Sequence, residues 1–353
     1  MKKRIFILVA TLLLSLGVKA QSGLENFLFA GVEDANKLGN AYLTPAMKGF
    51  IYGMNNGWYH TAKVHKILGL DITIGASAAL IPSKEEAFTY SSLGLSSLIT
   101  STPTSSPTLA GGVVPDADMV SVTIPANTFS DINGGVHPEL TSTFKMPDGF
   151  KNDLPISAIP APSIQVGVGL PFKSEVIIRY FPKTKTGDLE AAMFGVGLKK
   201  EITNWFGPLD KLPLHVSLLA TYSNMSLDYD IQNSSTISGN GQKAEFKLNT
   251  YSFDAIASLN FPFINIYGGV GYGSGSINTN LLGTYVLEYD TGLPAPNETI
   301  SRSLSNPISI KSSVNGVRAN VGARLSLGFF KIFGSYTLQE YNTLNLGIAI
   351  SIR

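Results

Sequence analysis

The chain has no cysteine. A disulfide framework and a thiolate metal site are therefore excluded, and an oxidising compartment is tolerated without being exploited. A lipoprotein anchor, which needs a cysteine after the leader, is excluded with them. Charge is sparse. Charged residues make up 14 %, with 26 Lys and Arg against 25 Asp and Glu, for a net +1. No long basic run is present, which argues against a nucleic-acid partner. Only 4 histidines occur, none at His-x-x-x-His spacing, so neither a metal nor another cofactor is expected. After Ala20 no apolar run approaches the ~18–20 residues that a membrane helix needs. If this chain spans a membrane it does so with closed strands, since lipid leaves open backbone groups unsatisfied.

What is present points to export and to such strands. Lys2-Lys3-Arg4, the apolar run Ile5 to Val18 and the small-residue end Val18-Lys19-Ala20 read as a cleaved secretory signal peptide over residues 1–20. Beyond it, alternation recurs along the chain. Val317, Ala319, Val321, Ala323, Leu325 and Leu327 share one face, and Gly316, Arg318, Asn320, Gly322, Arg324 and Ser326 share the other. Similar alternation covers Leu68–Gly75, Ile164–Leu170, Leu214–Tyr222, Tyr251–Asn260 and the final Leu344–Ile352. The polar faces are small and thinly charged, as an enclosed lumen would be, and aromatics collect near strand ends. The expected fold is an all-β membrane protein: an antiparallel transmembrane β-barrel of the bacterial outer membrane, with short N-terminal helices. A periplasmic or secreted β-sandwich is the rival.

Eleven strands can be counted from Trp58 onward, and the Asn55-Asn56-Gly57 turn suggests another at about 47–54. Met119–Ile124 is a candidate inside the long segment 83–162. Even strand counts are the rule, which gives about 12–14. Connectors at 171–174, 262–263 and 329–331 are short, whereas 83–162, 231–245 and 279–313 are long and are placed outside the cell. The 199–213 connector is an interfacial helix or a plain loop. The expected organisation is therefore residues 1–20 as signal peptide, 21–46 as a helical segment and 47–353 as the barrel, with 83–162 as its external loop.

In the helical segment, Ser22 to Glu25 fits a capping box, and Leu24, Phe27, Leu28, Gly31, Ala35 and Leu38 recur at helical spacing. Thr44-Pro45 reads as a second helix start. A plug folded into the lumen and a helix packed on the rim are the two readings, and the plug is preferred because larger barrels otherwise leave an open channel.

The runs Gly23–Leu28, Ala41–Gly49 and Gly53–Ala62, with the ending Gly328–Phe333 and Tyr341–Asn345, resemble a family of uncharacterised Bacteroidota outer-membrane proteins. The resemblance implies location and fold and carries no activity. A more distant, architectural resemblance is to long-chain fatty-acid transporters of the outer membrane. It rests on the pre-barrel helices and Asn40-Ala41-Tyr42, with Thr44-Pro45-Ala46 where that group has Asn-Pro-Ala. It implies a helical hatch ahead of a large barrel.

The inferred lumen charges are Asp71, Arg179, Asp254, Arg318 and Arg324. They could form a constriction that selects permeants. Alternatively they pair with one another or with Glu33, Asp34 and Lys37 of the plug. His215 and Ser217 share a face but lie too far apart for a nucleophile–base bond, and His60 and His65 are placed at an interface, so the chain is not expected to be an enzyme. Gly268–Gly273 mimics a nucleotide loop but lies in a strand and reads as lumen crowding. The leading expectation is binding or passage of a small hydrophobic or amphipathic molecule through a plugged barrel. A sealed structural or interaction barrel and a barrel hydrolase are the alternatives. The expected partners are the lipid bilayer, a small hydrophobic ligand and, during insertion, the barrel-assembly machinery.

Overall fold

The computed structural model describes residues 25–128, 137–154, 156–233, 237–294 and 298–352. The expected signal peptide and the start of the capping box lie outside the described residues. A 3-10 turn, Glu25–Ala30, leads into one long helix, α1 (Val32–Asn55). Ten antiparallel strands follow: β1 (Leu70–Leu80), β2 (Ala158–Leu170), β3 (Ser174–Thr186), β4 (Leu189–Glu201), β5 (Leu214–Asp230), β6 (Ile237–Asn260), β7 (Ile264–Asp290), β8 (Ile308–Leu327), β9 (Phe330–Leu338) and β10 (Thr343–Ile352). Each pairs with its neighbour, and β1 pairs with β10 from Leu70↔Ile352 to Ala79↔Thr343. The ring is closed. Among the described residues the barrel class holds with ten strands in the ring rather than 12–14, and Thr299–Ser305 adds an eleventh strand to the sheet beside β7.

Two missing strands have physical explanations. Residues 47–54 are helix, because Met47, Ile51 and Met54 repeat at helical spacing and are buried together. Asn55-Asn56-Gly57 is the stop signal of that helix, with the Asn56 N–H on Gly53 O and Gly57 at φ 74°, and not a hairpin turn. Thr44-Pro45 falls inside α1 and starts no second helix. Val120–Ile124 is a strand, but it pairs with Ile99–Ser101 and Leu140–Phe144 in a small separate sheet of the 81–157 segment.

The wall carries two opposite patterns. Near the end where the connectors are short, aliphatic side chains point outward. Ile178, Val196, Leu198, Ile266, Val321, Leu325 and Ile348 are all exposed, while Thr73, Glu175, Ser217, Asp254 and Arg318 are buried in the lumen. A belt of aromatics bounds this band at each end. Phe172, Trp205, Phe263 and Phe329 lie at the turns, and Tyr180, Phe194, Tyr222, Tyr251 and Tyr272 lie higher up. This is the surface of a membrane-spanning barrel. Nearer the other end the faces swap. On β8, Ile308, Ile310 and Val314 point inward, whereas Ser309, Lys311 and Ser313 are exposed. On β6, Ala244 and Leu248 are buried and Lys247 is exposed. The stretches 237–245 and 279–290, read from the sequence as loops, are these projecting strands. Their outward face is polar because it meets water, so they lack the lipid-facing signature.

The projecting inner face has a partner. Helix α1 enters at the loop end, where Asn36 bridges Pro307 O and the Ser309 N–H at 3.0 Å each, and runs down inside the barrel. Leu38, Tyr42, Ile51 and Met54 are at most 1 % exposed. The sheet of the 81–157 segment closes the top, with Phe27 against Phe144. After α1, residues 56–69 continue through the lumen to the turn end and start β1.

Candidate functional site

The turn-end lumen is a packed polar network rather than a channel. Arg318 Nε and Nη2 donate to Asp254 Oδ1 and Oδ2 at 2.9 and 2.6 Å, and Arg318 Nη1 donates to Asn55 O at 2.8 Å. Arg179 has no acid among its hydrogen-bond acceptors. It donates to Met54 O at 2.9 Å, Asn56 O at 3.0 Å and Gln165 Oε1, with its guanidinium over the Trp58 ring at 3.9 Å. Arg179 on β3 and Arg318 on β8 stand on opposite sides of the ten-strand ring. Together they take the last carbonyls of α1, which the helix itself leaves unsatisfied and which carry the negative end of its dipole.

Asp71 and Arg324 belong to a second cluster nearer the turns. Arginine only donates, so Arg324 Nη1 at 3.0 Å makes His60 Nδ1 the acceptor. His60 Nε2 therefore carries the hydrogen and donates to Asp71 Oδ1 at 3.3 Å. Thr73 and Ser351 also donate to Asp71, at 2.6 and 2.5 Å. Beside it, His65 Nδ1 lies 2.8 Å from Glu175 Oε2, and Lys199 Nζ donates to Glu175 Oε1 at 2.9 Å. His215 Nδ1 meets Glu201 Oε1 at 3.0 Å. All five lumen charges named from the sequence are therefore inside. Arg318 pairs with Asp254, but Glu33, Asp34 and Lys37 partner none of them. The plug enters N-terminus first at the loop end, where Lys37 pairs with Glu33 at 2.8 Å.

Sequence reasoning missed His60, His65, Glu175, Lys199 and Glu201. Glu175 and Lys199 sit on the lumen face of strands whose alternation was legible. His60 and His65 were placed at an interface, but they lie on a lumen segment with no periodicity to expose it, and His60 is 5 % exposed. Ser217 donates to Ala62 O at 2.5 Å and not to His215. The row Gly269, Gly271, Gly273 and Gly275 is crowded as expected. A Cβ on Gly275 would come within 2.4 Å of Ile51, and one on Gly271 within 2.2 Å of Asp254. Cavities beside Trp58 measure only about 10 Å³, room for about one water each.

The wall has a seam. β2 pairs with β1 up to Ala158, but its pairing with β3 ends at Gln165↔Arg179. Above that level Pro160 and Pro162 on β2 lack the N–H a ladder needs, and the β3–β4 register shifts between Phe181 and Thr184, around Pro182. The gap opens at the upper aromatic belt onto α1. An apolar cavity of about 20 Å³ lies behind it, lined by Phe50, Met54, Ile164, Tyr180, Met193 and Met225.

The chain belongs to a family of unknown function, DUF6588, matched over residues 1–352. No curated protein matches it. Among solved structures it is similar to Ail, the attachment invasion locus protein of Yersinia pestis, with 9 % identity, TM-score 0.27, and 81 % of this chain and 100 % of that one covered. The translocator domain of the autotransporter NalP from Neisseria meningitidis matches with 9 % identity, TM-score 0.28, and coverage of 82 % and 90 %. The toluene transporter TodX of Pseudomonas putida matches with 8 % identity, TM-score 0.25, and coverage of 87 % and 97 %. Similarity this low carries no argument about function.

Proposed function

From membership of a family of unknown function no activity is inherited, and we propose from the geometry that this barrel lies in the bacterial outer membrane and binds or passes a small hydrophobic or amphipathic molecule. The observation that carries the proposal is the β2–β3 seam. A barrel wall normally completes its ladder, because a bilayer offers no partner for open backbone groups. Here the ladder stops at the upper belt, and an apolar pocket faces the opening. The cavity of about 20 Å³ is too small for such a ligand as it stands. Its methionines are flexible gap-fillers that can make room by changing rotamer. By the length rule for barrel connectors, the short turns face the periplasm and the 81–157 cap faces outward. The architectural resemblance to long-chain fatty-acid transporters implies a helical hatch, in keeping with a helix inside the barrel.

The test is ligand retention. Purified protein should carry fatty acid or detergent by native mass spectrometry. Filling the pocket with Ala191→Phe should abolish the adduct while heat-modifiable migration in gels persists. Equal retention by both proteins would refute the seam.

The two-arginine clamp favours a second reading, a sealed barrel that presents its cap to a partner. The arginine pair decides between them in planar bilayers. If only the clamp holds the plug, Arg179→Gln with Arg318→Gln should raise conductance. A plug that stays in place without it is a permanent seal.

A further inference from the structure

We propose that the turn-end rim carries a binding site for the headgroup of an anionic phospholipid, built from Lys66, Lys173 and Lys200 around Ile67, Leu68 and Phe172. The inference rests on the membrane reading above but not on the seam.

Three elements bring the site together. The chain leaving the lumen crosses the end of β2, where the Leu68 N–H donates to Gly169 O at 2.9 Å and the Gly69 N–H to Lys66 O at 2.7 Å. The β2–β3 turn follows, and Lys200 at the end of β4 donates to Phe172 O. The Glu201 N–H ties the same turn down through Lys173 O at 2.9 Å. These bonds bring Lys66, Ile67, Leu68, Phe172, Lys173 and Lys200 together at the turn end, where Phe172 belongs to the lower aromatic belt. The apolar ones among them are among the most exposed in the molecule: Phe172 is 86 % exposed, Leu68 72 % and Ile67 57 %. Such residues belong in acyl chains, and ammonium groups beside them belong at the headgroups.

Charge is sorted radially. Among the described residues, the acids Asp71, Glu175 and Glu201 of this end are at most 5 % exposed. Each is turned inward onto a histidine. Lys199 is turned inward onto Glu175, whereas Lys66 and Lys173 are exposed and Lys200 is half-buried, with Lys173 Nζ 4.0 Å from Glu201 Oε1 at the rim. Three ammonium groups therefore stand at the rim, although the chain as a whole is nearly neutral. A basic cluster at the interface attracts anionic lipid.

The backbone supplies an independent observation. Of the non-glycine residues at positive φ, Leu68 (60°), Phe172 (61°) and Lys173 (53°) lie in this patch. A turn with successive residues in the left-handed region ordinarily takes Asn or Gly. Side chains kept at strained positions mark sites where the side chain itself is used. Here the strain puts an aromatic ring and an ammonium on the membrane surface.

The test places the whole protein in nanodiscs of phosphatidylethanolamine, alone or mixed with phosphatidylglycerol, and counts retained lipid by native mass spectrometry after detergent release. Wild-type protein should retain phosphatidylglycerol preferentially. Lys66→Gln, Lys173→Gln and Lys200→Gln combined should lower that retention by an order of magnitude or so. A control changing the exposed loop-end lysines Lys183, Lys185 and Lys311 to Gln should leave it unchanged. No lipid preference in the wild type, or an equal loss in the control, overturns the site. Binding of soluble polyglutamate in place of lipid would also overturn it, and would assign the rim to an acidic protein. Failure to enter either nanodisc would overturn the membrane reading with it. Because Ala191→Phe should keep its phosphatidylglycerol, the seam and the rim fail separately.

Discussion

The two ends of this barrel are built from the same strands with opposite rules. At the turn end the wall is apolar outside and polar inside, and the ring of ten strands is complete. At the loop end the wall is polar outside and apolar inside, the ladder opens between β2 and β3, and a helix and a cap supply the missing core. The solvent changes between the two levels, and each face follows it. Where the surroundings are lipid, the lumen is filled mainly by charges and hydrogen bonds, around a small apolar cluster of Trp58, Ala62, Ile177, Leu219 and Ile256. Where the surroundings are water, burial of apolar area does the work, at roughly 25 cal/mol per Å². Helix α1 spans both regimes. Its first turns sit in an apolar core, and its last carbonyls sit between two arginines.

The sharpest way to break this comparison is to remove one partner of the buried pair at the turn end. Arg318→Met leaves Asp254 buried with, among the described residues, only Ser252 donating to it. An unpaired buried charge costs about 3–5 kcal/mol, so the midpoint of heat-modifiable migration should fall sharply. Adding Asp254→Leu to the same protein should recover much of the loss, because the stranded charge is gone. If the double variant is no better than the single one, the pair does not hold this end together.

The loop end should respond to volume and not to charge. Ile51 is fully buried on α1 against Gly275. Ile51→Ala should cost about 2–5 kcal/mol, with the spread set by how far the site collapses. Removing the ammonium of Lys37 at the mouth, where it pairs with exposed Glu33, should cost far less. Urea unfolding in detergent reads both. A larger loss from Lys37→Met than from Ile51→Ala would mean that the projecting half is held electrostatically.

A third comparison moves one substitution along one strand. Val321→Arg on β8 faces the middle of the apolar band and should cost about 2–4 kcal/mol of insertion energy. Ser313→Arg, eight residues higher on the same outward face, meets water and should stay within about 0.5 kcal/mol. Folding yield into liposomes separates them. Equal yields would erase the boundary between the two ends.

How much of this was legible follows from the same physics. Period-two alternation with an apolar outer face was readable at Val317–Leu327, Leu214–Tyr222 and Leu344–Ile352, and its other face carries Asp71, Arg179, Asp254 and Arg318, which are buried, and Arg324, which is half-buried. The reading failed where its premise changed. Strand residues 237–245 and 279–290 read as loops because their outward face is polar. Residues 47–54 read as a strand because Asn-Asn-Gly ends helices as well as turning hairpins. The pairing of Arg318 with Asp254 was among the alternatives, but the carbonyls of Met54, Asn55 and Asn56 that Arg179 and Arg318 also take were out of reach, because every sequence has backbone carbonyls. The seam was not legible, because Pro160 and Pro162 fall in the segment read as the external loop 83–162, whereas in the structure they lie within β2 and lack the N–H that a ladder needs.

The smallest effect sharpens the comparison at its lower boundary. Phe172 and Lys173 hold φ of 61° and 53° in a turn where small residues would be relaxed. Phe172→Asn with Lys173→Gly should therefore stabilise the protein in detergent by about 0.5–1 kcal/mol, since neither side chain is buried and the strain is relieved. In nanodiscs containing phosphatidylglycerol the sign should reverse. There the wild-type ring and ammonium are at the interface they are shaped for, and the variant has lost both. Unfolding midpoints measured in the two environments decide it. A gain of the same size in both would make the turn an ordinary imperfection, and a loss in both would mean that Phe172 and Lys173 hold the β2–β3 hairpin itself.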